Sequence, residues 1–314
     1  MEAPILHRPL NILLAYDGSR HAEAAIGLIK DLPLVDNSHV TILGVLIPRE
    51  SSNHSRLENA LNQAKQRLSG ANYEVSLKME LGYPADQIVL IAEETSPDLI
   101  VMGAKGLRAT LGILLGGVAQ QVVEYASQPV LIVRAPYNGL NNVLLVTDGS
   151  MPSQHAVEYL AGSIRANGVP TCQRFPLPEH ASVRVMNVLP PFPYPEMLAP
   201  VWPVGSEIFP TLPLDEQEES ARHKEEEKQG QQILDSTVDF LNKCSSISAS
   251  PILVRGDAAT EIIDYVKSHQ IDLIIAGSRG LSEMRSWILG SVSRKLVHYS
   301  GCSVLIVKRT PPPE

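Results

Sequence analysis

Asn11-Ile-Leu-Leu-Ala-Tyr-Asp17-Gly18-Ser19 returns 131 residues later as Asn142-Val-Leu-Leu-Val-Thr-Asp148-Gly149-Ser150. A second pair repeats at a wider offset: Asp98-Leu-Ile-Val-Met-Gly103 and Asp272-Leu-Ile-Ile-Ala-Gly277 lie 174 residues apart. That wider offset holds from Gly82 (with Gly256) to Val130-Leu-Ile-Val133 (with Val304-Leu-Ile-Val307). Chance similarity does not keep register over so long a stretch, so the chain is an internal duplication. The expected domains are residues 1–138 and 139–314. The change of offset places insertions in the second copy, near 171–180 and 190–220. The proline-dense stretch from Pro190 reads as an extended surface loop, because proline breaks both helix and sheet.

Within each copy short apolar runs alternate with helix-period segments. Ile12–Ala15, Val40–Ile47, Val75–Leu81, Leu99–Met102 and Val130–Val133 have strand length. Between them, Leu57, Leu61, Ala64 and Leu68 recur at helical spacing, and Pro84 suits a first helical turn. Ile233, Leu234, Val238 and Leu241 form one helical stripe after a mixed charge run that reads as a solvated helix face. Continuously apolar strands alternating with helices indicate a parallel sheet covered on both faces. The expected fold class is α/β: two tandem doubly wound, Rossmann-like domains, each a five-stranded parallel sheet.

Ligands of such sheets sit beyond the carboxyl ends of the strands, where strand order reverses. Two clusters fall there in each copy: Asp-Gly-Ser after the first strand, and a spaced glycine motif after the fourth. The motif is Gly277-Ser-Arg-Gly280, nine residues, Gly290-Ser291 in the second copy, and Gly103-Ala-Lys-Gly106, nine residues, Gly116-Gly117 in the first. Glycines allow close backbone approach to a bulky anion, and a helix opening at the second pair would offer unpaired N–H groups to phosphate. Ser291 suits either a phosphate contact or a helix cap. The plainer alternative is turn glycines and a cap; recurrence after matching strands in both copies favours phosphate.

These stretches resemble the universal stress protein family, in its tandem two-domain form. The resemblance rests on Ile275-Ala-Gly-Ser-Arg-Gly-Leu-Ser, Leu-Gly-Ser-Val-Ser-Arg294 and Cys302-Ser-Val-Leu-Ile-Val-Lys308. It rests also on the two Asp-Gly-Ser openings and on Gly82-Tyr-Pro-Ala. The resemblance implies ATP binding, with or without Mg2+. It would put the base near Asp148 and Val188, or near Asp17 and Val45, and the phosphates against the glycine motif with Val292 and Ser293, or Val118. The aspartates either accept from ribose or adenine or form Asx turns. Arg279, Arg285, Lys105 and Arg108 either screen triphosphate charge or are merely solvated surface side chains. Gly117 and Ala119 stand where the second copy has Ser291 and Ser293, so the second site is expected to dominate, with the first weakened.

The implied output is nucleotide-dependent stress or signalling regulation, through a conformational change or a downstream protein that no motif identifies. A slow ATPase or nucleotidyl transferase is the enzymatic alternative, and a structural regulator with vestigial sites is the third. The chain lacks the P-loop, His-Glu-x-x-His and Gly-x-Ser-x-Gly patterns, and no catalytic or metal-ligating set is expected. With 26 basic and 34 acidic residues the net charge is −8, a poor match for nucleic acid or an anionic membrane. Aromatics at 5% argue against base-stacking platforms. No apolar run approaches membrane length and no signal-peptide pattern opens the sequence. Cys172, Cys244 and Cys302 read as free thiols of a cytoplasmic protein. The apolar fifth strands should lie at sheet edges, where an open edge invites aggregation. They are expected to pair with each other within the chain, with homodimerisation through other surfaces left open.

Overall fold

The computed structural model describes residues 8–48, 54–70, 72–107, 114–162, 175–192, 216–244, 247–280 and 289–308. The first copy runs β1 (Asn11–Ala15), α1 (Arg20–Asp31), β2 (Ser38–Leu46), α2 (His54–Leu68), β3 (Tyr73–Leu81), α3 (Pro84–Thr95), β4 (Leu99–Gly103), α4 (Gly117–Tyr125) and β5 (Val130–Val133). The second runs β6 (Asn142–Val146), α5 (Met151–Ala161), β7 (Ser182–Leu189), α6 (Glu216–Cys244), β8 (Ala249–Arg255), α7 (Ala258–Ser268), β9 (Leu273–Gly277), α8 (Ser291–Tyr299) and β10 (Ser303–Val307). Local chemistry sets the helix starts. Ser19 caps α1 by accepting from the Ala22 N–H, Asp257 caps α7 by accepting from the Thr260 N–H, and Pro84 occupies the first turn of α3.

All ten strands join one sheet in the order β3-β2-β1-β4-β5-β10-β9-β6-β7-β8. Each half is parallel, and strand order reverses between β1 and β4 and between β6 and β9. The halves meet where β10 pairs antiparallel with β5, Leu305 opposite Leu131. The apolar edges anticipated from the sequence therefore cover each other within the chain. Alternate strand residues feed two apolar layers: Ile12 and Leu14 face α1 and α2, while Leu13 and Ala15 face α3 and α4. The second half repeats this on the same two faces. Because the central pair is antiparallel, the carboxyl ends of the two halves point to opposite ends of the sheet.

The seam carries a reciprocal pair of cations. Arg134, just past β5, donates to the carbonyls of Val297 (2.7 Å) and His298 at the C-terminus of α8. Lys308, just past β10 and 174 residues later, donates to Glu124 O (3.0 Å) and Ala126 O (2.5 Å) at the end of α4. A cation there satisfies otherwise unpaired carbonyls and complements the helix dipole. Of the sequence-level insertions, residues 171–174 and 193–215 lie outside the described residues, as does Cys172. The stripe on α6 is where the periodicity placed it, with Leu234 and Leu241 buried.

Candidate functional site

The reversal point of the first half opens into a cavity of about 760 Å3. Asp17, Val45, Gly103, Gly106, Gly116, Gly117 and Val118, the first-copy residues singled out in the sequence, all line it. They arrive from the ends of β1, β2 and β4 and from the first turn of α4. The size falls within the roughly 300–1,000 Å3 of small-molecule and cofactor sites.

A network of short bonds shapes this crevice. The Asp17 carboxylate accepts from the Ser19 N–H (2.9 Å) and the Leu107 N–H (3.0 Å), tying the β1 turn to the glycine loop. Ser19 Oγ adds a bond to Lys105 O (3.0 Å). The Asx-turn role of Asp17 is thus realised. The Gly116 N–H donates to Ala104 O (2.8 Å), closing the loop onto itself before α4 begins. Gly116 provides no side-chain cap, so the N–H groups of Gly117, Val118 and Ala119 are left to the cavity these residues line.

The glycines serve different purposes. A Cβ on Gly106 would stand 2.7 Å from Asp17 Oδ2, so the bond between β1 and the loop requires glycine there. A Cβ on Gly103 would lie 2.8 Å from the Ala22 N, so this glycine admits the first turn of α1. At Gly117 a Cβ would meet nothing within 4 Å. Gly117 is exposed and lines the crevice, so a side chain there has room.

The second half repeats the frame. Gly280 lies under Asp148, whose Oδ2 would be 2.5 Å from a Gly280 Cβ, and a Gly277 Cβ would run into the Pro152 carbonyl. The Gly290 N–H donates to Ser278 O (2.9 Å), and Gly290 leaves α8 without a side-chain cap. Ser291 is exposed at the first position of α8. Ser293, by contrast, is buried and donates its hydroxyl proton to Gly277 O (2.8 Å). Asp148 accepts from both the N–H and the hydroxyl of Ser150. Val188 and Val292 are partly buried against the core layer of α7 and α8. Arg108 and Arg285 fall in residues 108–113 and 281–288, outside the described residues.

Sequence reasoning missed the α2 wall of the first cavity, Arg56, Leu57 and Ala60. Arg56 joins Lys105 as a second cation of the lining. The signal was available in the helical stripe beginning at Leu57, which the reading treated only as core. Among the described residues no group of three or more potential metal ligands is found.

The chain is thus a tandem doubly wound α/β protein with a spaced glycine motif after the fourth strand of each half, and a crevice at the strand-order reversal of the first. The profile of the Universal stress protein family matches residues 10–134 and 139–308, so the chain belongs to that family. A universal stress protein of Mycolicibacterium smegmatis is 22% identical over 95% of this chain and 96% of its own length. The crystal structure of a universal stress protein from Archaeoglobus fulgidus covers 96% of both chains at a TM-score of 0.60 and 18% identity, a likeness of fold. Another universal stress protein has been solved in complex with cAMP; it is 24% identical over 40% of this chain and 97% of its own, at a TM-score of 0.31. Among the described residues no helix is long and apolar enough to cross a membrane.

Proposed function

We propose that this universal stress protein is a cytoplasmic ATP-binding regulator, signalling by a nucleotide-dependent change of conformation or partner. One observation carries the reading. Asp17 and four glycines marked by sequence spacing, with Val45 and Val118 implied by the family resemblance, line a single cavity at the strand-order reversal, with an uncapped helix N-terminus on its wall. In that reading the triphosphate lies over Gly106, Gly116 and Gly117 against the first N–H groups of α4. Lys105 and Arg56 offset its charge, and the base enters between Val45 and the α2 wall. Mg2+, where present, accompanies the triphosphate.

Isothermal titration of ATP, paired with a phosphate-release assay in Mg2+, tests this. Saturable binding without turnover supports a regulator. Binding with sustained release supports the ATPase alternative, and no binding leaves a protein with vestigial sites.

A further inference from the structure

The two crevices differ at the end away from the glycines, and the difference lies in how the second helix of each half sits on the sheet. In the first half, a Cβ on Gly44 in β2 would meet Leu61 at 2.8 Å and Leu57 at 3.3 Å, and a Cβ on Gly18 would meet Ala60 at 3.6 Å. In the second half the matching contacts join Asn187 with Gly230 and Gly149 with Ile233. These pairs fix the register: Ala60 of α2 corresponds to Ile233 of α6, Leu57 to Gly230, and Gly44 to Asn187.

The exchange changes what stands beside the β6 turn. Gly230 lets α6 approach so closely that a Cβ there would stand 2.8 Å from side-chain carbons of both Leu189 and Leu253. The volume vacated by the missing leucine is therefore filled from the sheet. Beside it, Ile233 reaches over the β6 turn, its Cδ1 2.9 Å from where a Gly149 Cβ would be. At the position matching Ile233, the α2 wall of the first cavity carries the methyl group of Ala60, alongside Leu57 and Arg56. Asn187 is held in place by donating to Thr147 O (2.8 Å).

We propose that the chain takes one adenine nucleotide, in the first domain, and that Ile233 is the specificity-determining residue that denies the base entry to the second. This rests on the ATP reading above and deepens it. Side chains at the base end, rather than hydroxyls at the phosphate end, would then decide which site is used. Ser293 fits this ordering, since its hydroxyl proton is committed to Gly277 O.

The test is the number of ATP molecules bound per full-length chain, by equilibrium dialysis, for the parent, Ile233→Ala and Ala60→Ile. The expected counts are one, two and none. Thermal unfolding of each variant identifies a folding failure, and Ile233→Val, which trims one methyl, then serves in place of Ile233→Ala and should show weak second-site binding. A parent count of two, or an unchanged count in Ala60→Ile, overturns the inference while leaving the ATP reading intact. A parent count of zero removes both.

Discussion

At residue scale, Gly117 offers the most direct handle on the first site. Its Cβ position is empty space and it opens α4, so Gly117→Ser places a hydroxyl beside the first N–H groups without a clash. A hydrogen bond to a charged group contributes about 1.5–3 kcal/mol, or roughly a ten- to hundredfold tighter Kd for ATP. Serine is also a better helix residue than glycine, so the melting temperature should hold or rise slightly. Calorimetric titration alongside a melting curve checks both outcomes. Gly103→Ala should behave in the opposite way. Its Cβ would press on the first turn of α1, 2.8 Å from the Ala22 N, and overpacking of this kind costs about 1–3 kcal/mol. Denaturant unfolding of the nucleotide-free protein should register that loss. Of the motif glycines, then, some are required by close packing and others stand beside open space, a division that spacing alone does not reveal.

At the scale of elements, the two cations of the seam make a pH prediction. Burial pushes the Lys308 ammonium down from 10.5 to about 8. Between these values the unfolded chain binds the proton more readily than the folded one, so this group's contribution to stability rises with pH across that window. Burial pushes the Cys302 thiol up from 9.0 to about 12, which acts the other way: the unfolded thiol ionises first and stability falls as pH rises. The comparison must therefore be a difference. The stability of the parent relative to Lys308→Met should increase from pH 8 towards 10.5, measured by urea unfolding at each pH; a flat difference contradicts the assignment. Arg134 was not marked in the sequence and Lys308 only as the end of a motif, because a basic residue following an apolar strand reads as solvated until its partner helix is known. The elements themselves were legible, since apolar runs such as Val130–Val133 and the Leu57-Leu61-Ala64-Leu68 stripe carry their own period. The depth at which α6 sits was not. It depends on the match of Gly230 with Leu189 and Leu253, a contact between segments separated by an insertion that shifts the repeat.

At the scale of the whole molecule, the β5–β10 pair turns two half-sheets into one and points the two crevices to opposite ends. Arg134 spans that seam, donating to Leu114 O (2.6 Å), just before Gly116, as well as to the end of α8. The loop of the first site thus leans on the second domain. Residues 1–138 expressed alone should expose β5 and self-associate, as sedimentation would show; a soluble, stable monomer would mean the edge needs no cover. Arg134→Met in the full chain should weaken ATP binding at the first site, because Leu114 loses its anchor. The central claim, that the glycine-lined crevice of the first domain holds the nucleotide, meets its most direct test at Gly116. Its backbone angles (φ −75°, ψ 149°) suit a β-branched residue and a Cβ there comes no closer than 3.4 Å to any atom beyond its chain neighbours, so Gly116→Val should fold normally while its methyl groups occupy the phosphate path. Native mass spectrometry of parent and Gly116→Val, each incubated with ATP, should show ATP bound to the parent and lost from the variant; ATP retained equally by both would contradict the assignment.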